Sequence, residues 1–264
     1  MKYYLTACTR FNNKAVHDIV EFIDYHSVVG VEHFYLVNTE IDVSLSESVL
    51  KPYIEKGLVT LLHYPINKEY YYDSDWIHCY SVANHHANGN CRWMMYLDID
   101  EFVLPLQKES VSDFLKDYEN YSVVAVNWLI FGTSGFVDSP SSQLEHLVHR
   151  SEFGFSVNMH VKCIGDPSKF AGMNTPHHIL TIDQKNVNSN YDFCYGPLSS
   201  IVLDKIRINH YVIKSKKDYE NDTRVLPYKD KGWFVYHDRN EVFDDEIWKR
   251  FGDKVREFHK SIHG

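Results

Sequence analysis

Through its first 128 residues the chain alternates short, dense apolar runs with longer stretches whose apolar positions recur every three or four residues. The short runs have the length of buried strands and the longer ones the period of amphipathic helices. Strands are expected at Tyr3–Thr9, His33–Asn38, Leu58–His63, Trp93–Leu97 and Ser122–Trp128. Helices are expected at Lys14–Val29, Ser44–Glu55, Trp76–Ala87 and Val111–Tyr118, the first capped by Asn12 or Asn13 and ended by Gly30. Strand and helix in strict alternation imply βαβ units, and so an α/β fold with a mainly parallel sheet flanked by helices. Beyond Trp128 the rhythm breaks. Residues 131–200 are rich in Gly, Ser, Asn and Pro, with short strand candidates at Asn158–Ile164 and His178–Ile182. A strand at Ile201–His210, a short helix at Lys216–Arg224 and a charged helix at Glu241–His259 complete the chain. With no repeat and no linker, residues 1–264 read as one domain with a regular half, 1–128, and an irregular half, 129–264.

The sharpest chemical signal is where the Trp93–Leu97 run stops at Asp98-Ile99-Asp100-Glu101. In open α/β sheets ligands bind beyond the carboxyl ends of the strands, which is where these acids would stand. If the strand continues through the motif, Asp98 and Asp100 share one face and Glu101 points to the other. Two hard carboxylates on one face suit Mg²⁺ or Mn²⁺ held partly by a substrate's phosphates. Taken alone, the same residues also fit a solvated acidic turn.

Composition narrows the partners. A net charge of −9 argues against nucleic acid, although a single nucleotide with its charge met by a metal remains compatible. The five cysteines are scattered, with no Cys-x-x-Cys pair, which argues against a disulfide framework or a zinc knuckle. The first residues, Met1-Lys2-Tyr3-Tyr4-Leu5-Thr6, do not read as a secretory signal. No apolar run approaches the roughly 20 residues that cross a bilayer. The expected setting is cytoplasmic, with any peripheral contact at the inner face of a membrane made through an acceptor or a partner.

Several segments together resemble a known family. Glu21-Phe22-Ile23-Asp24-Tyr25-His26, then Gly30-Val31-Glu32-His33-Phe34-Tyr35 running to Asn38, is similar to the glycosyltransferases of family 92 and to related family 2 enzymes. Leu50-Lys51-Pro52-Tyr53, Gly57 and Val59 continue the resemblance, as do Cys79-Tyr80, Trp93 and Leu97–Phe102. So do Trp128–Gly135 and Asn209-His210-Tyr211-Val212-Ile213-Lys214-Ser215. Lys162, Lys169, Pro176, His177 and His178 follow in family-like order without an assigned role. The chain departs from the family pattern at Asn12-Asn13, where Asn-Glu is usual.

The resemblance implies a GT-A fold, Rossmann-like in residues 1–128, where the nucleotide would bind, with acceptor binding in 129–264. It implies an Asp-x-Asp motif whose Asp98 and Asp100, with His210, hold Mn²⁺ or Mg²⁺. Asp98 is also a candidate for the nucleotide ribose. Thr9, Arg10 and Asn38 would face the nucleotide, and Lys214 the leaving diphosphate. Trp128 and Gly132 would form the floor for the donor sugar, with Phe131, Phe136, Phe153, Phe155 and Phe170 as further sugar platforms. Asp138 and Asp183 are the candidates for a catalytic base. The activity implied is transfer from a nucleotide-diphosphate sugar, a UDP-sugar by preference, to a glycan or lipid-linked oligosaccharide in cell-surface polysaccharide synthesis. The alternatives are a sugar-nucleotide phosphohydrolase or nucleotidyltransferase, and a non-catalytic glycan-binding protein. The absence of glycine before Gly30 weighs against a nucleotidyltransferase.

Overall fold

The computed structural model describes residues 1–66, 73–221 and 232–264. The regular half supplies strands β1 (Tyr3–Phe11), β2 (His33–Asn38), β3 (Val59–His63), β4 (Cys91–Tyr96), β5 (Glu101–Pro105) and β6 (Val123–Ile130). Between them lie helices α1 (Asp18–Val28), α2 (Ser44–Glu55), α3 (Asp73–Ala87) and α4 (Val111–Leu115). The irregular half adds β7 (His149–Arg150), β8 (Val161–Gly165), β9 (Phe170–Thr175), β10 (His178–Thr181), β11 (Asn186–Asn188), β12 (Ile206–His210) and β13 (Val242–Phe243). Its helices are α5 (Gln143–His146), α6 (Lys216–Asn221), α7 (Trp233–His237) and α8 (Glu246–His263).

The central sheet runs β3-β2-β1-β4-β8-β6-β12-β5, with β11 also paired to β6. From β3 to β4 the strands are parallel, as the βαβ rhythm requires. β8 lies antiparallel to both β4 and β6, and β5 antiparallel to β12. The α/β architecture expected from the sequence is present, with strands of the irregular half inserted into the same sheet. The carboxyl ends of β4 and β6 meet the amino end of β8, because Tyr96 pairs with Cys163 and Asn127 with Val161. That junction is where the candidate site forms.

Two boundaries differ from expectation for reasons that matter. The first expected helix opens instead with a 3-10 turn at Asn13–Ala15, and α1 starts only at Asp18. Asn12 does cap that opening turn, its side chain accepting from the Lys14 amide. The larger difference is β5, an apolar strand that periodicity did not flag because it follows directly on the acidic motif. It leaves only a tight turn between β4 and β5 to carry Asp98 and Asp100. Of the expected helix Lys216–Arg224, residues 222–224 lie outside the described residues.

The motif that carries the family resemblance turns out to hold β5 in place. Tyr25 donates its hydroxyl to the Val103 carbonyl (2.9 Å), while His26 Nε2 accepts the Val103 amide (3.3 Å). His26 stacks on Phe102 with ring centroids 5.5 Å apart, and Phe22 packs edge-on against the same ring. A polar ring inside an apolar core is tolerable only with its nitrogens engaged. Here Nδ1 meets the Phe22 carbonyl at 2.9 Å. Burial holds the His26 ring well below its usual value, at about 3, so the imidazole is neutral.

Helix α8 returns from the irregular half to the regular one. His259 Nδ1 meets Asp24 Oδ2 at 2.7 Å, and His263 Nε2 meets the Tyr53 hydroxyl at 3.1 Å. Tyr53 in turn donates to Asp24 (2.6 Å), joining α1, α2 and α8 in one polar chain. The five cysteines are buried free thiols, consistent with their scattered spacing.

Candidate functional site

The acidic turn is built from three sides. Trp76 and Tyr80 stand one turn apart on α3 and so share a face. Both donate to Asp98 Oδ1, each at 2.7 Å. From β8, Lys162 places its ammonium 2.9 Å from Asp98 Oδ2 and 3.6 Å from Glu101 Oε2. Lys162 and Glu101 are wholly inaccessible to solvent. Glu101 also accepts the Asp98 amide at 2.8 Å, closing the turn. Burial alone would raise the Asp98 carboxyl. The Lys162 charge, with hydrogen bonds from Tyr80 and Lys162, outweighs it and holds Asp98 below the usual carboxylate range. Burial also acts to lower Lys162, but Asp98 and Glu101 reverse this and keep it charged. For Glu101 burial prevails, raised further by Asp98 and Asp100, so its carboxyl stands well above its usual value.

Asp98 and Asp100 therefore do not lie as two equivalent carboxylates on a strand face. Both oxygens of Asp98 are committed to protein donors. Asp100 faces His210 at the end of β12, with Nε2 to Oδ1 at 3.7 Å. Tyr211 donates its amide to the Asp100 carbonyl (2.9 Å), which fixes the turn to β12. Two donors on one Mg²⁺-like ion, each about 2.1 Å from it, lie between about 3 and 4.2 Å apart depending on whether they are cis or trans. The Asp100–His210 separation falls inside that range. Among the described residues no cluster of three or more His, Cys, Asp or Glu side chains is arranged to hold a metal. The pair thus fits an ion that takes most of its ligands from phosphate and water, as Mg²⁺ commonly does.

Lys214 completes this side. Its ammonium is 2.6 Å from Asp18 Oδ2 at the start of α1. Burial would lower it, but Asp18 and Asp100 raise it, so it stays protonated. Asp18, which sequence reasoning passed over, anchors it.

On the other side of the acidic turn Trp128 stands among three imidazoles. Its ring centroid lies 5.1 Å from His160, 5.0 Å from His177 and 4.2 Å from His210. With 9 % of its surface exposed, the indole is packed by these rings and does not offer the open sugar platform expected of it. Phe131 is likewise fully buried, whereas Phe136 and Phe153 are exposed. His160 and His177 each place Nδ1 against a backbone carbonyl, Val157 at 3.0 Å and Val161 at 3.1 Å. A carbonyl can only accept, so Nδ1 carries the hydrogen and Nε2 of the neutral ring keeps its lone pair.

Other expected residues take different positions. Thr9 lies inside β1, not at its end, because the strand runs on to Phe11. Arg10 stacks its guanidinium on Trp76, 3.1 Å from the ring centroid, and so supports the indole that holds Asp98. Asn38 is fully buried, donating to Ser46 (2.7 Å) and accepting the Glu40 amide (2.7 Å), and so orders its own turn. Gly132 does permit a close approach, but of the chain itself. A Cβ there would stand 2.5 Å from the Arg239 carbonyl oxygen. The two expected bases are each engaged by other groups. Asp138 is exposed and paired with Lys217 at 2.6 Å. Asp183 accepts from Ser122 (2.8 Å), at the opposite end of β6 from Trp128, about 20 Å along the strand.

The model of glycosyltransferase family 92 matches residues 3–258. The chain belongs to that family. A family 92 protein of Ricinus communis is 29% identical over 155 residues, covering 53% of this chain and 25% of the relative. A galactan β-1,4-galactosyltransferase of Arabidopsis thaliana is 29% identical over 125 residues, covering 46% of this chain and 24% of the relative. The family 92 chain thus spans about a quarter of the length of these curated relatives. Among solved structures, a mannosyltransferase from Pyrobaculum calidifontis, in complex with GDP-Man and Mn²⁺, aligns at a TM-score of 0.32 and 14% identity. That alignment covers 48% of this chain and 36% of the other. Among the described residues no helix is long and apolar enough to cross a membrane.

Proposed function

We propose that this family 92 chain is a metal-dependent glycosyltransferase that moves a hexose from a UDP-sugar to a glycan acceptor. The observation that carries the reading is the pairing of Asp100 with His210 at 3.7 Å, beside the protonated Lys214, where the strand ends converge. Asp100 and His210 would hold Mn²⁺ or Mg²⁺ there, which would supply a Lewis acid for the charge developing on a departing diphosphate. Lys214 adds a fixed positive charge toward the same oxygens, already oriented by Asp18. Asp98, locked by Trp76, Tyr80 and Lys162, shapes the turn that presents Asp100.

Two Arabidopsis relatives bear the name galactan β-1,4-galactosyltransferase, which favours galactose as the donor sugar and a β-1,4-galactan as the acceptor. A β linkage made from an α-linked sugar nucleotide requires inversion at the anomeric carbon. The test is a thermal-shift and transfer screen of UDP-, GDP- and CDP-sugars with and without Mn²⁺. Metal-dependent stabilisation by a UDP-sugar, and transfer of its label to galacto-oligosaccharides, is the expected result. Release of free sugar without transfer to any glycan would instead favour a phosphohydrolase.

A further inference from the structure

We propose that His177 is the general base that deprotonates the acceptor hydroxyl. The inference rests on the inverting transferase reading above and adds the residue that reading lacks, since Asp138 is exposed and paired with Lys217, and Asp183 accepts from Ser122 at the far end of β6.

His177 sits in the turn between β9 and β10. Thr175 pairs with His178 across that hairpin, and the His177 amide donates to Thr175 Oγ1 at 3.2 Å. The loop therefore presents the His177 ring at the carboxyl end of β6, against Trp128. The Val161 carbonyl holds the hydrogen on Nδ1 and leaves Nε2 as a lone-pair acceptor. A third group that fixes the tautomer of a base is the arrangement by which enzymes orient catalytic imidazoles. The ring is half-buried, so a hydroxyl can approach it.

Trp128 from β6 and His160 pack against the ring, and the charges of Lys162 on β8 and Asp98 in the acidic turn act on it. Burial first, then the Lys162 charge, hold the ring at about 4, with Asp98 opposing them. The ring is therefore in its basic form at neutral pH. In the step itself the acceptor oxygen forms its bond to the anomeric carbon while its proton passes to Nε2. The bond from that carbon to the β-phosphate oxygen breaks, and its electron pair leaves with UDP. The imidazolium then returns its proton to water.

His177→Asn keeps a side-chain N–H for the Val161 carbonyl and removes only the lone pair. We expect kcat for transfer to a galacto-oligosaccharide to fall by about 100-fold or more. The affinity for UDP with Mn²⁺ and the acceptor KM should stay within about threefold. The acid limb of the wild-type kcat profile should vanish in the variant, and added imidazole should restore part of the rate. Turnover within threefold of wild type, or loss of UDP and Mn²⁺ affinity together with activity, overturns the assignment. If the wild-type protein transfers no sugar from any donor, the transferase reading falls and takes the base with it. A wild type that transfers beside an unimpaired variant removes the base alone.

Discussion

Lys162, with no solvent exposure of its own, stands 2.9 Å from Asp98 and 3.6 Å from Glu101. A buried ion pair is costly to break because removing one partner strands the other's charge. Lys162→Met should therefore destabilise the fold by about 3–5 kcal/mol. Adding Asp98→Asn to it should recover part of that loss. Urea denaturation of the two single variants and the double variant measures the coupling. Additive losses would show that the pair is not energetically linked.

Asp100 and Asp98 should behave differently although they are near neighbours in sequence. Asp100→Ala and His210→Ala should each weaken Mn²⁺-dependent UDP binding by tenfold or more, at about 1.4 kcal/mol per factor of ten. Asp98→Asn should retain that binding as long as the turn folds. Calorimetry with and without metal separates the two cases. Equal loss in all three variants would mean that Asp98 also reaches the ion.

Acid should destabilise the protein through its buried imidazoles. His26 has its value held near 3 in the folded state against about 6.5 when unfolded. Between those limits the unfolded chain binds the extra proton, so stability rises with pH. The contribution is fully present above about pH 6.5 and is lost progressively as pH falls toward 3. By pH 5 the loss from His26 alone is about 2 kcal/mol. Thermal melts from pH 8 to pH 5 would show it, and a His26→Leu variant should flatten that slope whatever its own stability.

Gly132→Ala should lower stability by about 1–3 kcal/mol, because its new methyl group meets the Arg239 carbonyl and Asn240. If Gly132 serves packing and not the donor, the UDP affinity of the folded variant should stay near wild type. A selective loss of sugar-nucleotide binding without destabilisation would return Gly132 to the ligand site.

How much of this was legible in the sequence depended on the kind of signal each residue carries. The strand His33–Asn38 and the helix Ser44–Glu55 were read to their end residues, since each is a simple periodic run with clear flanks. The acidic turn was located, but its internal geometry was not. Periodicity assigned Asp98 and Asp100 to a strand face because β5, the element that forces the chain to turn, begins in the motif itself. The Tyr25-His26 pair marked the family without revealing its task, which is a contact with Val103 distant in sequence. Lys162, His160 and His177 carry no local pattern that separates a site residue from a surface one. The antiparallel insertion of β8 between β4 and β6 brings His160 and Lys162 there, and the β9–β10 turn adds His177.

The polar chain from Asp24 and Tyr53 to His259 and His263 governs how such family 92 chains can be recombined. A crossover near residue 128 that swapped the regular half for a homologue's would leave α8 facing a foreign α1 and α2. The heritable unit on the donor side is thus discontinuous in sequence: the first three strands with their helices, and the last helix of the chain. A chimera that exchanges both segments together should fold, whereas one that exchanges only the first should leave His259 and His263 without Asp24 and Tyr53.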